Sequence, residues 1–127
     1  MAKILTVDDE EEIRNSMLRM ITVFGHAAHM ASNGQMALYA LCEAVSVEPF
    51  DLVITDLNMP VMDGLSLVRE IRKSKSDVIK KLPVILVTGG DIKRAMRVGA
   101  LAGANKIITK PFGMDDLESA INELIRC

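Results

Sequence analysis

Five times along this chain a short run of β-branched and other apolar residues gives way to a longer segment of helical period. Parallel strands need that alternation, because each crossover between them must be long enough to hold a helix. The strands are expected over 3–7, 27–31, 51–55, 83–88 and 105–109. The first helix is expected over roughly 11–24, with Ile13, Met17, Met20, Ile21 and Phe24 on one face and Gly25 as its C-terminal stop. Others run from the Asn33-Gly34 turn to about 45, from Asp63-Gly64 to about 73, and over roughly 92–101 with Gly103 beyond. A last one places Met114, Leu117, Ile121, Leu124 and Ile125 on one stripe. The continuous apolar runs at 51–55 and 83–88 suit strands covered on both faces, hence central ones. The weaker segment at 27–31, with His26 and His29 beside small residues, suits a sheet edge. The lysine-rich stretch holding Lys73, Lys75, Lys80 and Lys81 is expected to be a solvated loop.

One domain of 127 residues is expected, since about 100 to 200 residues per domain is usual. Half the residues are apolar and a quarter charged, which excludes a disordered tail or a fibre. The formal net charge is −2, with no Lys/Arg block to neutralise a phosphate backbone, so direct nucleic-acid binding is not expected. Cys42 and Cys127 form neither a disulfide framework nor a metal-ligand pair, as in a reduced, cytoplasmic protein. No apolar run approaches the roughly 18 residues that cross a bilayer, so membrane insertion is not expected either. Most of the nine methionines are expected to fill core gaps.

In an open parallel sheet, ligands bind outside the carboxyl ends of the strands. Strand one ends in Asp8-Asp9, strand three in Asp56, strand four in Thr88 and strand five in Lys110. Singly, each has an ordinary explanation: helix caps for the acidic pair, a turn for Asp56, a β-branched strand end for Thr88, a surface charge for Lys110. Together they converge on one crevice. Three carboxylates there repel, which invites a divalent cation; with hard oxygen donors and so few of them, Mg²⁺ fits better than Ca²⁺ or Zn²⁺. Metal, ammonium and hydroxyl can serve the oxygens of a transferring phosphoryl group, with a carboxylate as nucleophile. Asp56 is the best candidate, because it leaves a central strand for a loop bounded by Pro60 and Gly64.

These motifs, Val7-Asp8-Asp9-Glu10, Asp56-Leu57-Asn58-Met59-Pro60 with Met62-Asp63-Gly64, Val87-Thr88-Gly89 and Lys110-Pro111-Phe112, resemble as a set the receiver domain of two-component response regulators. The resemblance runs from Ile4 to Ile125. It implies an α/β, (βα)5 flavodoxin-like fold: a five-stranded parallel sheet in the order 2-1-3-4-5 with helices on both faces. It further implies that Asp56 accepts phosphate from a sensor histidine kinase or a histidine phosphotransfer protein. Asp9, Asp56 and the backbone carbonyl of Asn58 would hold Mg²⁺, with Asp8 assisting through a water. Thr88 and Lys110 would contact phosphoryl oxygens, and the Lys110-Pro111 bond is often cis in the family. Such a domain is a switch, catalysing only its own phosphorylation and dephosphorylation.

The sequence also departs from the family's usual pattern. The position three before the lysine, usually aromatic, is Ile107, so a ring-rotation signal does not carry over. Gly89 and Gly90 follow the switch threonine and offer no side chain over the phosphoryl group, which bears on access of the hydrolytic water. After Lys110 only 17 residues remain, as in a stand-alone, chemotaxis-type (CheY-like) receiver; removal of a longer protein's output domain is the alternative. The downstream target is not named by the sequence, but a partner surface is expected at Lys93, Arg97, Lys106 and Ile107. Kinase docking is expected on the first helix, where Leu18 lies off the core stripe. Three rival functions remain: a phosphatase, which lacks its second Asp because Asn58 stands there; a flavin carrier, which lacks a phosphate cradle and aromatics; and a degenerate receiver acting as a scaffold without phosphorylation.

Overall fold

A computed structural model describes residues 1–125; Cys127 thus lies outside the described residues. The strands are β1 (Lys3–Val7), β2 (Ala27–Ala31), β3 (Leu52–Asp56), β4 (Val84–Thr88) and β5 (Lys106–Thr109). The helices are α1 (Glu11–Val23), α2 (Gly34–Ala44), α3 (Gly64–Arg72), α4 (Asp77–Lys80), α5 (Ile92–Ala102) and α6 (Met114–Ile125). All strand pairs are parallel, in the order β2-β1-β3-β4-β5, which is the expected flavodoxin-like topology.

Alternation along each strand divides the core in two. Leu5, Val53, Val84 and Leu86 pack under α2, α3 and α5 against Leu41, Leu67, Val68 and Ala95. Ile4, Leu52, Ile54 and Ile85 face the other way, onto Met17 and Ile21 of α1 and Leu117 and Ile121 of α6. Every residue of β3 and β4 is buried, as central strands require, whereas His29 and Met30 of edge strand β2 are exposed.

Local chemistry sets the helix ends. Asn33, Asp63 and Asp91 accept hydrogen bonds from the third residue onward, Met36, Ser66 and Arg94, at 2.9, 2.8 and 3.1 Å. Gly25 and Gly103, at φ of 90° and 109°, end α1 and α5 in the left-handed region that glycine enters freely. The ordinary alternative for Asp8 and Asp9, helix capping, is not what the fold uses: Glu10 stands at the cap position, and Asp8 Oδ1 accepts from the Glu10 N–H at 2.9 Å.

Two expectations need correction. The lysine-rich stretch is not simply a solvated loop: Ser76 caps the one-turn helix α4, whose Ile79 is buried in the core, while the four lysines of the stretch stay in water. The methionines are not mostly core. Met17 and Met59 are buried and Met20 and Met62 pack against the core, but Met1, Met30, Met36, Met96 and Met114 are exposed. Composition gives a residue's preference, and the face of the element on which it falls decides its burial. His26 and His29 have structural partners: His26 Nδ1 accepts from the Ala2 N–H at 3.0 Å, and His29 stands edge-on to Phe50.

Candidate functional site

The parallel strands deliver their last side chains to one rim. Asp8 follows β1, Asp56 and Thr88 close β3 and β4, and Lys110 follows β5; Asp8, Asp56 and Thr88 are buried. Lys110 Nζ lies 3.3 Å from Asp56 Oδ1 and 3.7 Å from Asp8 Oδ2, so one ammonium bridges two carboxylates. Arg14 of α1 does not neutralise either acid; its guanidinium donates to the Asp8 backbone carbonyl at 2.8 Å. Thr88 Oγ1 accepts from the Gly90 N–H at 3.2 Å, which uses an oxygen lone pair and keeps the hydroxyl proton for another acceptor.

Burial pushes the Asp56 carboxyl above the usual carboxylate range, and Asp8 adds to it; the Lys110 ammonium and the Leu57 backbone oppose both without cancelling them. Burial alone works against the Lys110 ammonium, but Asp56 and Asp8, with a smaller contribution from Glu10, outweigh it and raise its pKa. Lys110 is therefore held charged, while burial disfavours the ionised form of Asp56.

The loop after Asp56 is held tightly. The Leu57 N–H donates to Val87 O and the Gly64 N–H to Leu57 O, both at 2.9 Å. A Cβ on Gly64 would lie 2.3 Å from the Asp56 carbonyl oxygen, so only glycine lets α3 start this close behind Asp56. At the tip, Val61 has φ of 70° inside a three-residue turn closed by the Met62 N–H onto Pro60 O at 2.8 Å. A β-branched residue rarely adopts that backbone, and the strain is of order 1–3 kcal/mol. The Lys110-Pro111 bond is cis, as the resemblance implies.

Asp8, Asp9 and Glu10 have carboxylate oxygens within 4.8 Å of one another. Together with Asp56 they set four acids against the single ammonium of Lys110. All donors are hard oxygens, and the uncompensated negative charge suits a divalent cation such as Mg²⁺. Asp56 is not a member of that close group, which instead includes Glu10. Glu10 was absent from the expected ligand set, and its place in the run of five acids was the one signal for it.

The expected partner residues separate into two kinds. Lys93 and Arg97 of α5 are exposed. Lys106 is half-buried and paired to Glu123 of α6 at 2.6 Å, and Ile107 packs into the α5 side of the core, close to Gly99 and Leu86. Both line a groove of about 500 Å³ between α5 and α6. Leu18 is half-buried, while Ile13, Ser16, Met17 and Met20 of α1 form with Pro111 and Phe112 a mainly apolar hollow of about 490 Å³ that reaches Gly89 and Lys110.

A five-stranded parallel sheet carrying acids after strands one and three and a lysine after strand five defines a class, and the sequence matches it: residues 4–122 fit the response regulator receiver domain, and the chain belongs to that family. The response regulator MprA of Mycobacterium leprae is 32% identical over 124 residues, covering 98% of this chain and 51% of that protein. The two-component response regulator PhoP of Pseudomonas aeruginosa is also 32% identical, again over 98% of this chain and 52% of its own length. The chain thus spans about half the length of these curated relatives. Among solved structures, the chemotaxis protein CheY4 of Vibrio cholerae superposes with a TM-score of 0.85 at 30% identity, covering 98% of this chain and 99% of the other. The response regulator TrrA of Thermotoga maritima, solved in complex with Mg²⁺-BeF, gives 0.83 at 33% identity, covering 98% of this chain and all of that one. The fold is CheY-like. Among the described residues, no helix is long and apolar enough to cross a membrane.

Proposed function

We propose that this chain is a cytoplasmic phosphorylation switch that takes a phosphoryl group onto Asp56 from a phosphohistidine of a sensor kinase or a histidine phosphotransfer protein. The observation that carries this reading is the pairing of Asp56 Oδ1 with Lys110 Nζ at 3.3 Å, on a rim where Thr88 also ends its strand. An Asp56 oxygen forms the new P–O bond as the P–N bond to the donor breaks, and the bonding pair leaves with the imidazole nitrogen. Lys110 then meets one phosphoryl oxygen and the Thr88 hydroxyl donates to another. Asp9, Asp56 and the Asn58 carbonyl, with Asp8 through a water and Glu10 nearby, are the groups that would hold Mg²⁺. When bound, the cation offsets the charge that gathers on the phosphoryl oxygens. Its chemistry in this reading is its own phosphorylation and dephosphorylation.

Charge drawn toward the phosphoryl group moves Thr88 and the Gly89-Gly90 loop, and with them α5 and β5. Lys93 and Arg97 supply the exposed part of the partner surface, and Lys106 and Ile107 its packed edge. Ile107 lies against the core, so a change in how α5 sits reaches that groove without an aromatic ring. The hollow beside α1 opens next to Lys110, which suits it to the donor protein's approach.

Intact-protein mass spectrometry after incubation with acetyl phosphate tests the reading. The expected result is a single phosphoryl adduct that needs Mg²⁺ and disappears both with EDTA and in Asp56→Ala. A wild type that takes no adduct under any condition overturns it and favours the degenerate receiver.

A further inference from the structure

Gly34 opens α2 directly after its cap residue Asn33, and its backbone is not in the left-handed region. Glycine is a poor helix former, so conformation gives no reason for it there. The reason is a contact. A Cβ on Gly34 would lie 2.9 Å from each of three Met62 atoms, Cβ, Cγ and the backbone oxygen. None of these is the far end of a flexible side chain, so a methyl group at position 34 must displace the loop or the helix.

Met62 is the residue after the strained Val61, in the segment that joins Asp56 and Asn58 to α3. That segment is gripped at its α3 end by Gly64, which abuts the Asp56 carbonyl, and inward by Met59, which is buried. Gly34 abuts Met62 from another side, and it comes from a helix that contributes no side chain to the site. We infer that Gly34 is a positioning residue: by letting α2 press on Met62, it sets where the 58–63 loop lies, and so where the Asn58 carbonyl stands relative to Asp9 and Asp56. The inference rests on the proposed phosphoacceptor reading.

The test compares wild type, Gly34→Ala and Ala37→Gly. Ala37 is buried one turn further along α2, so its replacement weakens the helix without pressing on the loop. Two quantities are read: amide chemical shifts of residues 57–64 in metal-free protein, and the Mg²⁺ dependence of phosphorylation by acetyl phosphate. In Gly34→Ala the loop amides should shift, and half-saturating Mg²⁺ should rise about tenfold, as for groups that orient metal ligands from behind, while the rate at saturating Mg²⁺ changes little. Ala37→Gly should leave both unchanged. Met62→Gly removes two of the three atoms that rest on Gly34 and introduces no clash; it should raise half-saturating Mg²⁺ in the same direction even if Gly34→Ala does not fold. A Gly34→Ala protein that folds with unmoved loop amides and unchanged Mg²⁺ dependence overturns the inference. So does a Met62→Gly protein with wild-type Mg²⁺ dependence. Failure of the underlying reading is distinct from both, because wild type itself would then take no adduct.

Discussion

At the lower end of the sheet, where β4 and β5 begin, Arg72 donates to the carbonyls of Gly103, Lys80 and Leu82 and to Asn105 Oδ1, at 3.0, 2.8, 2.6 and 2.8 Å. Asn105 Oδ1 in turn accepts from the Val84 N–H at 2.8 Å. Lys3 and Asp51 tie β1 to the chain entering β3 in the same manner, backbone to carboxylate at 2.8 Å and backbone to backbone at 2.7 Å. At the upper end, Lys110 faces Asp56 and Asp8 while Asp9 and Glu10 crowd beside them, and Val61 holds a strained backbone. One end has its polar groups matched donor to acceptor; the other keeps excess negative charge and strain. Matched groups fasten elements together, whereas unmatched charge is available to a cation and an incoming phosphoryl group.

If that contrast is correct, stability and chemistry respond to different ends. Arg72→Ala should show the largest effect, a loss of about 3 kcal/mol, because four charge-assisted hydrogen bonds go and carbonyls at three element ends lose their donor. Urea unfolding measures the loss; below the transition, the rate of adduct formation with acetyl phosphate should match wild type. A slowed rate in the folded variant would break the separation of the two ends. Gly64→Ala comes next, at about 2 kcal/mol, since its Cβ meets backbone rather than a side chain that can rotate away. Here the adduct rate should fall along with stability, because the displaced atom belongs to Asp56.

The smallest effect sharpens the comparison by its sign. The folded chain holds the Asp56 carboxyl above its unfolded pKa, so the native state binds the proton more tightly and the full cost to stability is reached once pH exceeds the native value. That cost is absent below the unfolded pKa and grows as pH rises between the two. Asp56→Asn should therefore raise the thermal midpoint of metal-free protein at pH 7, and the gain should shrink as pH falls through the carboxylate range. Thermal scans from pH 3 to 7 measure it. A midpoint lowered at pH 7 would mean that the Lys110 pairing outweighs burial, and that the upper end is matched as well as the lower.

The elements that were legible in advance are those whose signals are local. Asn33, Asp63 and Gly103 mark helix ends by their own backbone and side-chain chemistry, and the unbroken apolar runs of β3 and β4 marked the central strands. The four rim residues were legible because each stands at or just past the end of a strand, and parallel strands all end on one side. The nearness of Glu10 to Asp8 and Asp9 was not legible, because nothing in a run of five acids tells which of them turn toward the same point. α4 was missed because its one buried anchor, Ile79, lies in a stretch where Lys73, Lys75, Lys80 and Lys81 remain in water. Ile107 lines the groove between α5 and α6, as a partner-surface residue would, and also packs toward the core beside Gly99, a relation that sequence distance does not display.

The sequence alone determined the alternation of strand and helix, the stops between them and the identity of the residues at the strand ends, since each follows from periodicity or from the chemistry of one or two neighbouring residues. Tertiary structure alone decided that Arg72 would meet Gly103, Leu82 and Asn105, that α2 would press on Met62 through Gly34, and that burial would disfavour Asp56 as an anion. Those are properties of atoms brought together from distant parts of the chain. Excluded volume and desolvation depend on what arrives at a point in space, and a linear sequence names the arrivals without fixing where they meet.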